Sequence, residues 1–206
     1  LEDSFWRSEP SDLVKVAGWL ADQGFASEAI SLISRLEERR MSLTAKLGIT
    51  LSCVQADCFL QLGRFGEAVQ AYDRILSTAD DPVAHANKGL AHWELQEYEA
   101  ALRHYRMALQ MDPNNAVVLR GAGEVLNRLG RYDEALPILR RAVAARPGYG
   151  KAYTALGVSC FNLGSWLEAY RALRRAAEID PTDKVALLGL GKIETYFDLA
   201  PDADDR

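Results

Sequence analysis

The sequence is short of cysteine, the residue that cross-links many small proteins. It has only three, Cys53, Cys58 and Cys160, among 206 residues. Cys53 and Cys58 are five positions apart on a predicted helix, so they point to different sides, and the odd number argues against a disulfide framework. Cys58 and Cys160 lie on apolar stripes and are expected in the core, whereas Cys53 is offset and is expected at the surface.

Histidine is equally scarce, and the three histidines do not form a metal-binding pattern. His85 and His92 are two helical turns apart, about 10 Å along a helix axis, and no His-Glu-x-x-His spacing occurs. We expect a structural role for both and for His104. The chain also lacks the glycine patterns that hold phosphates. The sequence therefore predicts no metal, no cofactor and no catalytic residue, hence a protein that is not an enzyme.

Long apolar runs and an excess of basic residues are also missing. No stretch approaches the roughly 20 apolar residues that span a bilayer, and the first residues lack the order of a secretory signal. With 24 basic and 29 acidic residues, the net charge of -5 gives no overall attraction for nucleic acid or anionic lipid. We expect a cytoplasmic protein. Because the sequence begins with Leu1, we also expect a processed chain or a piece of a longer one.

What the sequence does contain is an internal period of 34 residues. Alanines, glycines, prolines and aromatic residues recur at this interval: Ala101, Ala135 and Ala169; Ala108, Ala142 and Ala176; Gly89, Gly123 and Gly157; Pro113, Pro147 and Pro181; Tyr98, Tyr132 and Trp166. A period of this length is typical of arrays of short helical units, each too small to bury its apolar face alone.

The pattern resembles the tetratricopeptide repeat family. Its unit has aromatic and Leu-Gly positions on a first helix, alanines on a second helix and a closing proline. Tyr153, Leu156, Gly157, Ala169 and Pro181 fit this pattern. The resemblance implies an all-α fold, a right-handed superhelical stack of antiparallel helix pairs with about five repeats plus a C-terminal capping helix.

The repeat boundaries follow from the period. We predict an N-terminal tail (1–11), an array (12–199) and an acidic tail (200–206). Within the array we expect a degenerate repeat at 12–40, repeats at 49–81, 82–115, 116–149 and 150–183, and a capping helix at 184–199. Leu187 and Leu190 are expected to seal the last core. Pro137 is expected to bend its helix without breaking it.

The first helices of this family line a concave groove, and the resemblance places a partner-binding surface at the corresponding positions. Aromatic anchors beside arginine, lysine and asparagine suit an extended or helical peptide with acidic groups. The predicted groove residues are Asn87, Leu90, Trp93, Glu94, Arg120, Glu124, Asn127, Arg128, Lys151, Thr154, Val158, Phe161, Asn162, Lys192 and Thr195. The competing interpretation is an ordinary polar surface, with Trp93 and Phe161 packed between repeats.

Two further features bear on the ligand. Some members of the family grip a C-terminal carboxylate with lysine and asparagine, but here Cys53 and Asp57 stand at two of those positions. The second helices carry a basic ridge: Arg103, Arg106, Arg140, Arg141, Arg171, Arg174 and Arg175. It would suit an acidic partner, RNA or a membrane surface. We favour a solvated face supported by pairs such as Glu99 with Arg103 and Glu168 with Arg171.

We therefore predict a scaffold or adaptor that binds a peptide or helical segment of a partner protein in the groove. One alternative is a self-assembling module that forms a homo-oligomer through terminal apolar residues, either Phe5 and Trp6 or Tyr196, Phe197 and Leu199. A second alternative is the substrate-recruiting domain of a larger enzyme. Nucleic acid and membrane partners are not expected.

Overall fold

The computed structural model describes residues 9–38 and 45–197, with only the backbone at positions 45, 46, 196 and 197. These residues form eleven α-helices and no strand. The predicted all-α repeat stack is therefore confirmed. The two tails beyond this range and the side chains of Phe5, Trp6, Tyr196, Phe197 and Leu199, which bear on self-assembly, lie outside the described residues.

The helices follow one another along the chain. Their bounds are α1 Pro10–Asp22, α2 Ala26–Glu38, α3 Ala45–Gln61, α4 Phe65–Leu76, α5 Pro82–Glu94, α6 Tyr98–Met111, α7 Ala116–Arg128, α8 Tyr132–Ala145, α9 Gly150–Asn162, α10 Trp166–Ile179 and α11 Lys184–Phe197. The chain divides into two compact units, residues 1–97 with α1 to α5 and residues 98–206 with α6 to α11.

The first unit is built from α1 and α2, which pack on each other and on α3, and from α4, which packs between α3 and α5. Leu13, Ile33 and Leu36 form the core of α1 to α3. Tyr72 and Ile75 of α4 lie in a second core with apolar residues of α3 and α5. The degenerate first repeat is therefore still a helix pair, because its second helix keeps a buried apolar stripe.

The second unit contains the two repeats with the clearest period. In each, a leucine of the second helix sits on a glycine of the first, Leu139 on Gly123 and Leu173 on Gly157. A Cβ atom on Gly157 would lie 2.5 Å from Leu173 Cγ, so only glycine allows this close approach.

Glycine also ends four of the first helices. Gly24, Gly63, Gly130 and Gly164 have φ values of 83°, 69°, 73° and 73°, the left-handed conformation that glycine adopts at little cost. The turn after α5 reaches the same conformation with Gln96, at φ 61°. The four glycine turns, each within one unit, reverse the chain and bring the next helix antiparallel to the last.

The last helix, α11, begins at an aspartate cap. The Asp183 carboxylate accepts hydrogen bonds from the backbone N–H groups of Val185 and Ala186 at 2.9 and 3.1 Å. Its buried side chains are Ala186 and Ile193. The prediction that Leu187 seals the core is wrong: it is 48% exposed, because α11 turns Gly189, and not Leu187, toward Leu173.

Pro137 lies inside α8, which runs unbroken from Tyr132 to Ala145. The expectation that the helix continues past this proline is confirmed. The residue stands near the start of the helix, where only a single hydrogen bond is lost.

Candidate functional site

The predicted groove residues of the first unit lie on α5, where Asn87 is drawn into a polar cluster. Its Nδ2 donates to Asp57 Oδ1 at 3.3 Å, and the buried Tyr72 hydroxyl donates to the same oxygen at 2.7 Å. Burial, and then the hydrogen bond to Asp57, raise the pKa of Tyr72. Trp93 is half-buried and Glu94 is exposed. The Asn87 side chain therefore already has a hydrogen-bond partner within the protein.

In the second unit, Arg120 and Glu124 form an ion pair within α7. The Arg120 Nε also donates to the Tyr149 hydroxyl at 2.7 Å, with the guanidinium 5.7 Å from the centre of that ring. This guanidinium, which the sequence suggested for a carboxylate ligand, already has a carboxylate and a phenol. Its main role is to join α7 to the turn before α9.

Asn127 and Thr154 are also engaged between repeats. Asn127 donates to the Ala155 carbonyl at 2.9 Å and accepts from the Ser159 hydroxyl at 2.6 Å. The Thr154 hydroxyl donates to Asp183 at 2.6 Å. The Asn127 amide and the Thr154 hydroxyl thus have hydrogen-bond partners on the next first helix or at its cap. These residues are therefore parts of the repeat interface.

An accessible apolar cavity lies between α9 and α11. This α9–α11 cleft has a volume of about 360 Å³ and is lined by Val158, Phe161, Asn162, Leu173, Val185, Leu188, Gly189 and Lys192. Val185 and Leu188 are 54% and 67% exposed. A concave site of mostly apolar lining with a few polar groups is the usual form of a ligand site.

One lysine lines this cleft, and a second lies in the first turn of α9. Lys151, on α9, and Lys192, on α11, are both exposed. Lys192 has no carboxylate partner among the described residues. Hydrogen bonds from Thr182 lower the pKa of Asp180, and the positive charge of Lys151 adds to this effect. The nearby carboxylates are hydrogen-bonded within the protein. Asp180 accepts a hydrogen bond from Thr182, and Asp183 caps the start of α11 and accepts from Thr154.

A second and larger cavity adjoins the first, and the two share Phe161, Leu188 and Lys192. This α10–α11 cleft has a volume of about 680 Å³ and is lined by Phe161, Trp166, Leu187, Leu188, Gly191, Lys192, Ile193 and Thr195. Phe161 and Trp166 meet edge to face, with ring centres 5.0 Å apart. Phe161 therefore forms part of the wall of both clefts.

The basic ridge is largely neutralised by acidic residues of the same unit. Arg106 pairs with Glu134 at 3.3 Å, and Arg140 pairs with Glu168 at 2.8 Å, in each case on the next second helix. Arg174 and Arg175 pair with Glu178, and Arg141 donates to the Pro113 carbonyl. Arg103 and Arg171 are exposed. This arrangement favours a solvated face over a dock for nucleic acid.

The expected pairs on that face differ from those in the structure. Glu99 pairs with Arg131 at 3.3 Å and not with Arg103, and Glu168 pairs with Arg140 and not with Arg171. Sequence spacing alone finds pairs within a helix, whereas these glutamates reach to a neighbouring helix of the stack.

The cysteines and histidines make contacts within the folded chain. Cys58 and Cys160 are buried as predicted, and burial raises the pKa of each thiol to about 11. Cys53 is half-buried, although it was expected at the surface. His85 lies 2.8 Å from Asp80, and His92 lies 2.6 Å from Glu97. In the described part of the chain, no group of three or more histidine, cysteine, aspartate or glutamate residues is arranged to hold a metal ion.

Sequence reasoning missed several residues of the clefts, above all Leu188 and Trp166. Leu188 stands in the 34-residue register at the place of Arg120 and Thr154, so the period contained the signal. Lys88 was also missed: it stands where Leu156 stands two repeats later, is 8% exposed and contacts Asp73 at 2.5 Å. A buried lysine at an apolar position is not expected from a periodic pattern.

A family model for the tetratricopeptide repeat matches the chain in four overlapping stretches, residues 20–84, 53–116, 86–150 and 120–184. Among curated proteins, the chain is similar to sperm-associated antigen 1 of Mus musculus, with 32% identity over 78 residues. That match spans 38% of this chain and only 9% of the mouse protein.

Solved structures show the same fold. MamA, from residue 41 to its end, of Desulfovibrio magneticus RS-1 is 25% identical and superposes with a TM-score of 0.69 over 76% of this chain and 88% of that one. The first TPR of Spaghetti (RPAP3), bound to the HSP90 peptide SRMEEVD, is 26% identical, with a TM-score of 0.55 over 57% of this chain and 94% of that one. YrrB, at 19% identity and a TM-score of 0.71, covers 85% of this chain and 89% of its own, and shares the fold.

None of the described helices has the length and apolarity that crossing a bilayer requires.

Proposed function

Because this chain belongs to the tetratricopeptide repeat family, we propose that it is a scaffold or adaptor that binds a segment of a partner protein on the face of its first helices. The RPAP3 repeat domain, at 26% identity, holds a peptide, which supports a peptide ligand here. The proposal involves no catalytic step and no cofactor. It includes a reducing, cytoplasmic location, which suits three free thiols.

The α9–α11 cleft carries this proposal. Of the predicted groove residues, Arg120, Glu124, Asn127 and Thr154 are engaged by other parts of the fold. Val158, Phe161, Asn162 and Lys192 line an accessible apolar cavity instead. Binding energy in protein interfaces is concentrated where a bulky side chain enters a desolvated pocket. The cleft provides such a pocket.

The charges around the cleft indicate the kind of segment that it binds. Lys192 lines the cleft and adds positive charge without a carboxylate partner among the described residues, whereas the charge of Lys151 acts on the nearby Asp180. A segment that inserts a bulky apolar side chain beside Phe161 and places an aspartate or glutamate near Lys192 would use both features. An internal acidic and apolar segment fits better than a free C-terminus, since Cys53 and Asp57 occupy clamp positions.

The test is selection of short random peptides displayed on phage against the immobilised protein. We expect enrichment of peptides that combine acidic residues with a bulky apolar residue. Val158→Asp places a carboxylate in the α9–α11 cleft without touching the other cleft. This substitution should lower the affinity for an enriched peptide at least tenfold, equivalent to about 1.4 kcal/mol.

Leu187→Asp is the matched control, because Leu187 lines the α10–α11 cleft and not the α9–α11 cleft. It should leave the affinity unchanged. Circular dichroism confirms that both variants are folded. Equal binding by wild-type protein and Val158→Asp, or no enrichment above an unrelated protein, contradicts the proposed site.

A further inference from the structure

Gly191 marks a difference between α11 and the two preceding first helices. In the 34-residue register it corresponds to Gly123 and Gly157. Each of those glycines is covered by a leucine of the following second helix, Leu139 or Leu173. Among the described residues, nothing lies within 4 Å of a Cβ atom built on Gly191. Within the part of the chain that the structure describes, the surface of α11 at Gly191 is therefore open where its equivalents are covered.

The open surface forms one wall of the α10–α11 cleft. Leu187 and Leu188, 48% and 67% exposed, lie on the same side of α11 as Gly191, and Trp166 closes the cleft from α10. In the preceding repeats the equivalent glycines lie on the surface against which a second helix packs, with Leu139 on Gly123 and Leu173 on Gly157. An exposed apolar surface of this kind is typical of an interaction site.

We propose that the α10–α11 cleft binds an amphipathic helix of a partner protein, which packs antiparallel to α11 and places a leucine on Gly191. The two covered glycines indicate the sequence of this helix. The leucines on them belong to the same pattern, Glu-Ala-x3-Leu-x2-Ala, at residues 134–142 and 168–176. The partner helix carries this pattern, because it continues the helix-on-helix contact already made twice within the unit.

The glutamate of the pattern has a counterpart on α10. Glu134 pairs with Arg106, and Glu168 pairs with Arg140. The next arginine in the register is Arg174, whose present ion pair with Glu178 has a longer distance of 3.7 Å. A glutamate of the partner helix therefore meets Arg174 when its leucine reaches Gly191.

A second copy of this chain is a poorer occupant than a separate partner helix. The stripes that carry the pattern, in α8 and α10, are at most 1% exposed: Ala135, Leu139, Ala142, Ala169, Leu173 and Ala176. A second copy can present one of them only if a repeat opens. A helix with a free stripe binds without that cost.

The probe is a fluorescein-labelled synthetic peptide with the sequence of residues 165–181, which contains the pattern in its natural helical context. Fluorescence anisotropy measures its binding to the full chain. The control peptide carries Leu173→Asp, which removes the leucine and adds a charge. The protein variant is Gly191→Leu, which fills the cleft and replaces glycine by a better helix former, so that folding is preserved.

Gly66→Leu provides the matched protein control. Gly66 is an exposed helical glycine in the first unit, and nothing lies within 4 Å of a Cβ atom built on it. Wild-type protein and Gly66→Leu should bind the probe equally. Gly191→Leu should weaken binding at least tenfold, and the control peptide should bind at least tenfold more weakly than the probe. Absence of probe binding, equal binding of the two peptides, or unchanged affinity in Gly191→Leu overturns the proposal.

The same proteins separate this proposal from the proposed function. Val158 lines the α9–α11 cleft alone, and Gly191 lines the α10–α11 cleft alone. The helical probe should bind Val158→Asp normally, and a phage-selected peptide should bind Gly191→Leu normally. Loss of probe binding in Val158→Asp but not in Gly191→Leu assigns the probe to the α9–α11 cleft and overturns the second site. A monomer-to-dimer change in light scattering that Gly191→Leu abolishes, without probe binding, replaces the partner helix by a second copy.

Discussion

At the scale of single residues, Gln96 holds a conformation that glycine holds at four other turns. Its φ of 61° lies in the left-handed region, which costs a residue with a Cβ atom about 1 kcal/mol. Gln96→Gly should therefore raise the free energy of unfolding by up to about 1 kcal/mol, since the strain is removed and the backbone hydrogen bonds of the turn remain. Urea denaturation followed by circular dichroism measures this change.

Gly130→Ala is the reverse substitution at an equivalent turn. Its φ is 73°, and nothing lies within 4 Å of the added Cβ atom, so backbone strain is the main effect. It should lower the free energy of unfolding by about 1 kcal/mol. A loss of stability in Gln96→Gly would show that its side chain contributes more than the strain removes.

The buried thiols give a second prediction at this scale. Burial raises the pKa of Cys58 to about 11, with help from Asp57, and raises that of Cys160 to about 11, with help from Glu168. Unfolded thiols lose their protons near pH 9.0, so the unfolded state binds fewer protons above that pH. The stability from the neutral thiols is present below pH 9 and should be lost as the pH rises to about 11.

The measurement is the free energy of unfolding in urea at several pH values between neutral and 11. The double variant Cys58→Ala and Cys160→Ala should be less stable at neutral pH, because it leaves small cavities. Its stability should nevertheless fall less steeply above pH 9 than that of the wild type. Parallel curves for the two proteins would show that the thiols do not titrate as described.

At the scale of helices, the glycines separate covered faces from open ones. Gly157→Ala puts a methyl group 2.5 Å from Leu173 Cγ, so the free energy of unfolding should fall by about 1 to 3 kcal/mol. Gly191→Ala meets no described atom within 4 Å and should raise it by up to about 1 kcal/mol through helix propensity. Urea denaturation of both variants checks the contrast, and equal effects would contradict it.

The helices and their core residues were predictable because the period itself carries the apolar pattern. Gly123 and Gly157 recur at the period, and each contacts a leucine that also recurs at the period, Leu139 or Leu173. The bonds of Asn127 with Ser159 and of Thr154 with Asp183 were not predictable. They join residues about thirty positions apart, and side-chain identity at one repeat does not reveal its partner at the next.

At the scale of the whole molecule, charge is divided unequally between the two units. Residues 1–97 carry 9 basic and 15 acidic residues, whereas residues 98–206 carry 15 basic and 14 acidic ones. The overall charge of -5 hides this difference. An acidic segment is repelled by the first unit and not by the second, where both clefts lie. The predicted groove spans both units because the period treats all repeats as equal, whereas their charges differ.

The ion pairs Arg106–Glu134 and Arg140–Glu168 recur at the repeat interval. This regularity has an evolutionary consequence. Deleting the codons for residues 116–149 would bring Arg106 opposite Glu168, so an equivalent ion pair would form. The contact between Gly157 and Leu173 in the remaining repeat would stay intact. Duplicating the same stretch would add one more ion pair of the same kind. Lineages can thus lengthen or shorten this chain by unequal crossing-over without having to invent a new junction.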